Sequence, residues 1–214
     1  MRPPQAGVII EKSMLILASA SPRRKQILGE IVTQFDIIPA TGEEDAQGAT
    51  APDEVVKVLA RQKAREVASL PKARGKAVLG ADTVVALDGE ILGKPKNEAD
   101  AYRMLSALSG KTHEVYTGVC LISADGTERV EADCTRVRFY KLTDEQIYAY
   151  IRTGSPMDKA GAYGIQDGGL VSKIKGSYSN VVGLPVELCT KMINKVNSGK
   201  KAFNAYLPLS LLEK

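Results

Sequence analysis

The stretch MLILASASPRR, residues 14–24, indicates the fold class of this chain. Its apolar half, Met14 to Ala18, is typical of a short buried strand that stops at Ser19. Pro22 then takes the first-turn position of a helix, and Ser21 is the residue that caps it. A buried strand that runs through a short polar loop into a helix is typical of α/β proteins.

The alternation of strand and helix patterns continues beyond this stretch. FDIIP, residues 35–39, predicts a second strand, and Pro52 opens an amphipathic helix. Residues 77–81 and 84–87 predict buried strands, followed by a hairpin turn at Asp88-Gly89.

The second half of the chain adds longer β-rich runs. Val115 to Ser123 and Val130 to Tyr140 predict a long hairpin around Asp125-Gly126. The sequence therefore predicts an α/β fold with a mixed β-sheet and flanking helices, elongated and two-lobed around a central cleft. Further helices are predicted from Asn97, Thr143 and Pro185, and a last strand over residues 170–174.

Composition and charge narrow the classes of function. The 214-residue chain is 44% hydrophobic and 25% charged, as in soluble globular proteins that build their own core, and its length predicts one domain or two small lobes. A net charge of +4 is too mild for the dense basic stripe of a dedicated nucleic-acid binder. A small anionic ligand fits this charge better, and no stable nucleic-acid partner is expected.

Cysteine usage and hydropathy predict the compartment. Cys120, Cys134 and Cys189 lie far apart and form no CxxC pair, which favours neither a zinc site nor a disulfide framework. A reduced, cytoplasmic location is therefore expected. No apolar run approaches the about 20 residues that span a bilayer, so no membrane partner is expected. Residues 1–13 are interpreted as an N-terminal extension and residues 14–214 as a single domain.

The segment from Ser19 to Arg24 has the form of an anion site. It places hydroxyl groups, backbone amides and two guanidiniums, those of Arg23 and Arg24, where a strand runs into a helix N-terminus. Unpaired N–H groups and the helix dipole favour negative charge there, and arginine binds phosphate through two hydrogen bonds. The alternative is a capped surface helix with two solvated arginines.

Carboxylates follow in two places. Asp82, in GADTVV, is interpreted as an acid at the end of an apolar strand, where it needs a cleft, a cation or hydrogen-bond donors. It could hold a metal ion or accept a proton from water, or simply form a turn. Glu43, Glu44 and Asp45 add carboxylates on a loop, although such a cluster is more often only solvated.

The single histidine, His113, excludes a multi-histidine metal site and is interpreted as structural. A bound metal ion would therefore be held by carboxylates, which with phosphate favours Mg²⁺ or Mn²⁺. Lys94 in GKP and Lys159 in DKAGAYGIQ stand on stiff or glycine-rich backbone. Each of these two could equally be a surface lysine near a turn.

Several blocks of sequence run in order from about Leu15 to about Val196: LILASASPRR, GADTVV, GKP, MDKAGAYGIQ and KIKGSYSNVVGLP. Together they closely resemble the Maf family of nucleoside triphosphate pyrophosphatases. The resemblance implies a single Maf-like domain over residues 14–214, with a fold similar to that of the inosine triphosphate pyrophosphatases. It also implies that a nucleotide binds in the groove between two lobes.

The resemblance assigns roles to particular residues. Asp82 matches the proposed catalytic acid, and Glu43 matches a loop carboxylate that binds metal together with Asp82. An alignment shifted within TGEED would give the second role to Glu44 or Asp45. The DKAGAYGIQ block resembles the branch that acts on dTTP and UTP, in which positions matching Arg23, Thr83 and Gln166 mark specificity. A glutamine amide complements the N3–H and O4 of these pyrimidines. The substrate-binding residues implied are Ser19, Arg23, Arg24, Lys63, Thr83, Lys94, Lys159 and Gln166.

The function expected is hydrolysis of dTTP or UTP, and of modified pyrimidine nucleotides, to the monophosphate and pyrophosphate. Water activated by the metal ion would attack the α-phosphorus. Two other classes stay open: a nucleotide-binding regulator of cell division without turnover, and an RNA-binding module. Three Phe and no Trp weigh against base stacking in the second. The sequence leaves the oligomeric state open, with a homodimer among the options.

Overall fold

The computed structural model describes residues 14–197 of the chain. The predicted N-terminal extension, residues 1–13, lies outside this part, as do residues 198–214 of the predicted single domain. No helix between residues 14 and 197 is long and apolar enough to cross a membrane.

Within the described residues, seven strands form one mixed sheet in the order β2-β1-β3-β5-β6-β7, with β4 paired to β3. β1 is parallel to both β2 and β3, and the other pairs are antiparallel. The predicted α/β fold with a mixed sheet is confirmed. The strands are β1 (Leu15–Leu17), β2 (Asp36–Ile37), β3 (Ala77–Leu87), β4 (Glu90–Leu92), β5 (Thr112–Ile122), β6 (Glu128–Phe139) and β7 (Val171–Lys175).

Three of the described helices begin at the capping residues that the sequence predicts. The hydroxyl of Ser21 accepts from the amide of Arg24, and Thr143 forms a capping box with Gln146. Short 3₁₀ turns cover Pro71–Ala73, Ser155–Asp158, Ala160–Ala162 and Ile165–Asp167. The α-helices are α1 (Pro22–Ile31), α2 (Pro52–Ala68), α3 (Glu98–Leu108), α4 (Asp144–Ile151), α5 (Tyr178–Val182) and α6 (Val186–Asn197).

Helix α2 lies unusually close to the sheet at two glycines. A Cβ atom at Gly80 would stand 2.4 Å from the carbonyl oxygen of Ala60, and one at Gly118 would stand 2.2 Å from that of Val56. Any larger residue would therefore push the helix off the strands. This close approach brings Lys63 of α2 over β3.

Strand β3 passes through two hydrophobic clusters. Leu79 and Ala81 pack in one cluster with α1 and α6, whereas Val85 and Leu87 pack in another with α3 and α4. The segment Asp82-Thr83 lies between these pairs, at the junction of the two clusters. Polar side chains can face solvent at this junction, because neither core closes over it.

Candidate active site

A cavity of about 670 Å³ opens at this junction. Segments from distant parts of the chain contribute to its wall: the β1–α1 loop, helix α2, the middle of β3, the loop after β4, and residues 158–166. Cationic and acidic side chains therefore share one space. The residues from the sequence analysis that line it are Ser19, Arg23, Arg24, Lys63, Asp82, Thr83, Lys94, Lys159 and Gln166.

Asp82 is the most deeply placed carboxylate of the cavity. Its side chain is 10% exposed, and its Oδ1 atom lies 2.5 Å from Nζ of Lys63. The expectation that Asp82 ends a strand is wrong, because β3 continues unbroken from Ala77 to Leu87. An acid is tolerated in the middle of this strand because an ammonium group neutralises it and Gly118, its partner on β5, carries no side chain.

The same ammonium group also binds Glu44. Oε1 of Glu44 lies 2.8 Å from Nζ of Lys63. Partial burial raises the pKa of Glu44, but the hydrogen bond from Lys63 and the charges of Lys63, Lys94 and Arg24 outweigh it, so the pKa is lowered. Glu44 is therefore ionised at neutral pH.

The neighbouring Glu43 is placed differently. Its side chain is exposed and is not part of the cavity wall, while its backbone carbonyl accepts a hydrogen bond from the amide of Gln62. Of the acidic pair, Glu44 is the residue that the structure brings to Asp82.

Arg24 is held rigidly at the floor of the cavity. Its Nε donates to the carbonyl of Gly183 at 2.9 Å and its Nη2 to the hydroxyl of Thr83 at 3.1 Å. A longer bond of 3.4 Å joins Nη1 to the hydroxyl of Ser19. Burial lowers the pKa of Arg24, and the negative charges of Asp82 and Glu44 oppose this shift. An arginine remains protonated at neutral pH even so.

The glycine-rich loop of residues 158–166 brings further polar groups to the opposite wall. Nζ of Lys159 contacts the carbonyl oxygen of Ser155 at 2.5 Å and Oδ1 of Asp158 at 2.7 Å. Nη1 of Arg23 lies 3.8 Å from Oδ2 of Asp158. Asp158 therefore stands between these two cations. Gln166 is exposed at the rim, on the turn Ile165–Asp167.

Gly161 ties this loop to the segment that carries Lys94. Its amide donates to the carbonyl of Gly93 at 3.0 Å, and its φ of +68° is a conformation that favours glycine. A Cβ atom at this position would lie 2.9 Å from Val85. The loop is thus fixed against β3, close to Asp82.

Sequence reasoning missed several residues of the wall. Asp158 and Tyr163 line the cavity, as do Val181, Val182 and Gly183 at the end of α5. Asp158 and Tyr163 lie inside the DKAGAYGIQ block, which pointed to this region without separating their roles. Helix α5 has only five residues, too few for a helical period to be visible.

His113, interpreted as structural, is buried and does not line the cavity. Its Nε2 lies 2.7 Å from the hydroxyl of Tyr163, and its ring packs edge-on against Phe139. Burial lowers its pKa to about 4, so the ring is neutral at pH 7.

The donor set of the cavity suits a small hard cation. Asp82 and Glu44 contact the same ammonium group, so they lie close enough to share one ion. Mg²⁺ is commonly bound by one or two carboxylates together with substrate phosphates. Among the described residues, no group of three or more His, Cys, Asp or Glu side chains could hold a metal by itself. Phosphate oxygens would therefore complete the coordination.

The fold and the cavity define an α/β protein with a cleft that is lined by cationic side chains beside carboxylates. The family profile described as Maf-like protein matches residues 14–196. The chain belongs to the Maf family.

Curated relatives match nearly their full length. A dTTP/UTP pyrophosphatase of Thermococcus gammatolerans is 52% identical over 181 residues, covering 84% of this chain and 95% of that protein. One of Agathobacter rectalis is 50% identical over 202 residues, covering 86% of this chain and 98% of that protein. Among solved structures, the Staphylococcus aureus Ham1 protein aligns with a TM-score of 0.44 at 16% identity, over 59% of this chain and 72% of that one.

Proposed function

We propose that the protein hydrolyses nucleoside triphosphates to the monophosphate and pyrophosphate, with dTTP and UTP as preferred substrates. The observation that carries this proposal is that Arg23, Lys94 and Lys159 line the same cavity as Asp82. Cations on several sides match a polyphosphate, and a carboxylate among them can take up a proton from water. The relatives named dTTP/UTP pyrophosphatase, at about half identity, support the same substrates.

In the proposed reaction, the cations of the cleft bind and orient the triphosphate. Arginine and lysine side chains stabilise the charge that develops on the bridging oxygen, as in other phosphoryl-transfer sites. Asp82 accepts the proton of the attacking water. Lys63 keeps the Asp82 carboxylate in place through the contact between Nζ and Oδ1. A divalent ion, Mg²⁺ or Mn²⁺, would be held by Asp82 and Glu44 and would neutralise phosphate charge and lower the pKa of water.

The assignment of the metal ligand differs from the one made by resemblance. Glu44 rather than Glu43 is proposed, because only the side chain of Glu44 faces Asp82 across Lys63. The two acids are adjacent in the sequence TGEED, where a shift of one position moves the role.

Gln166 is proposed to recognise the pyrimidine edge. Its exposed amide lies at the rim of the cavity, where a base would extend from a triphosphate bound at the cations. Thr83, at the floor of the cavity, is proposed to contribute to substrate specificity through the hydrogen bond that its hydroxyl accepts from Arg24. A cytoplasmic location is also proposed. The oligomeric state, with a homodimer among the options, is measured by sedimentation analysis.

A panel of nucleotides tests the proposed function. The purified protein is incubated with UTP, dTTP, CTP or ATP, with and without Mg²⁺ or Mn²⁺, and both pyrophosphate and orthophosphate are measured. The proposal expects pyrophosphate in amounts equal to the monophosphate, fastest with UTP and dTTP, and only with the divalent ion. Tight nucleotide binding without turnover would instead favour a nucleotide-binding regulator.

A further inference from the structure

The guanidinium of Arg24 has donors left for a ligand after its internal contacts are counted. Five N–H groups are present in arginine, and three of them bond to Gly183, Thr83 and Ser19. Two N–H groups therefore remain, one on each terminal nitrogen. Two donors on neighbouring nitrogens are what a bidentate phosphate contact requires.

The hydrogen bonds beneath Arg24 have a determined direction. The hydroxyl of Thr117 donates its one proton to the backbone carbonyl of Asn180 at 2.9 Å, because a carbonyl can only accept. The proton in the 3.0 Å contact between Thr83 and Thr117 must then come from Thr83. The oxygen of Thr83 in turn accepts from Nη2 of Arg24. The chain runs one way, from Arg24 through Thr83 and Thr117 to Asn180.

The end of this chain is fixed in the core. Asn180 is fully buried, and its side-chain amide donates to the carbonyl of Val115 at 2.9 Å and to the hydroxyl of Thr135 at 3.0 Å. The same short helix leads to Gly183, whose carbonyl accepts from Nε of Arg24. The guanidinium of Arg24 is therefore linked to α5 twice, directly through the carbonyl of Gly183 and indirectly through the carbonyl of Asn180.

We infer that Thr117 is a positioning residue for Arg24, acting through the hydroxyl of Thr83. Thr117 is fully buried and does not line the cavity, so it reaches a ligand only through this chain. The proton of Thr83 is committed to Thr117, so Thr83 influences the substrate as part of this support and does not donate to the base. This inference rests on the proposed function, in which Arg24 binds the triphosphate.

Isosteric substitutions test the inference. Thr117→Val removes the hydroxyl and keeps the shape, Thr117→Ser restores the hydroxyl, and Thr83→Val breaks the chain from the other side. Thr190→Val is the matched control, because the hydroxyl of Thr190 is buried without a partner among the described residues. Each variant is assayed for kcat and KM with UTP, for equilibrium binding of inorganic pyrophosphate, and for thermal unfolding.

The expected loss with Thr117→Val is about tenfold in kcat/KM and in pyrophosphate affinity, the size of one lost hydrogen bond between neutral groups. Thr117→Ser and Thr190→Val stay within about twofold of the wild-type protein. Arg24→Lys tests whether Thr117 acts through Arg24, since lysine cannot make the bidentate contacts of a guanidinium. In that background Thr117→Val should cost less than about twofold.

Two outcomes overturn the inference. One is a folded Thr117→Val variant, or Thr83→Val if the first does not fold, with wild-type kcat/KM and pyrophosphate affinity. The other is an equal loss in the Arg24→Lys background, which would mean a general structural effect. Absence of UTP turnover in the wild-type protein would refute the proposed function instead, and the pyrophosphate binding series would still decide the role of Thr117.

Discussion

At the residue scale, the chemistry of the cleft depends on one ammonium group shared by two acids. Lys63 is 17% exposed at its side chain and contacts both Asp82 and Glu44. A buried carboxylate without a counter-ion would protonate or destabilise the fold. Lys63 therefore balances the negative charge of both acids within the cavity, and a divalent ion bound there would add to this charge balance.

The acidic pair can be separated by substitution. We expect Glu44→Gln to raise the Mg²⁺ concentration for half-maximal pyrophosphate release by about tenfold, because one of two carboxylate ligands is lost. Glu43→Gln should cause a smaller shift, since its side chain is outside the cavity. A metal titration of both variants measures this. A larger shift with Glu43→Gln would return the role to Glu43.

Substrate choice is tested at Gln166. We expect Gln166→Ala to lower the ratio of UTP to CTP turnover, measured as kcat/KM, by about tenfold or more, because a complementary amide is removed from the pyrimidine edge. Gln166→Glu is the matched control, because glutamate keeps the size of the side chain but loses the amide donor. If Gln166→Ala leaves the ratio unchanged, Gln166 has no part in reading the base.

At the scale of elements, local signals in the sequence were sufficient to place most helices and strands. Ser21, Asn97 and Thr143 cap the helices where expected, because capping depends on bonds over three residues. The continuity of β3 through Asp82 could not be read in this way. It depends on Lys63 and Gly118, which come from α2 and β5 and are adjacent only in the folded chain.

Strand β5 contributes a prediction about stability. His113 has a pKa of about 4 in the fold and 6.5 ordinarily, so the unfolded chain binds more protons between these values. Stability should therefore fall as the pH drops from 6.5 towards 4, by about 2 kcal/mol between pH 7 and pH 5 from this residue. Urea unfolding at both pH values measures the loss.

His113→Gln is the control for this effect, because glutamine can still hydrogen-bond to Tyr163 but does not titrate. The variant should lose about 2 kcal/mol less than the wild-type protein between pH 7 and pH 5. Equal losses in the two proteins would show that other groups cause the pH dependence.

At the scale of the whole molecule, the site lies where β3 passes from one hydrophobic cluster to the next. Sequence motifs predicted cations that the structure places in the cavity wall, since glycine, proline and arginine at fixed spacing carry local signals. They could not show that Glu44 lines the cavity while Glu43 does not, or that Thr117 is linked to Arg24 through the hydroxyl of Thr83. Those facts depend on how the loop of residues 41–50 and the helix α5 pack, which no local pattern encodes.

The central claim is that Asp82 acts on water beside a triphosphate held by converging cations. The most direct measurement compares wild-type protein and Asp82→Asn for pyrophosphate release from UTP, together with equilibrium binding of UTP. The account predicts a fall in kcat of about 10²- to 10⁴-fold, the usual contribution of a general base, while UTP still binds. An Asp82→Asn variant that binds UTP and turns it over at the wild-type rate would contradict it.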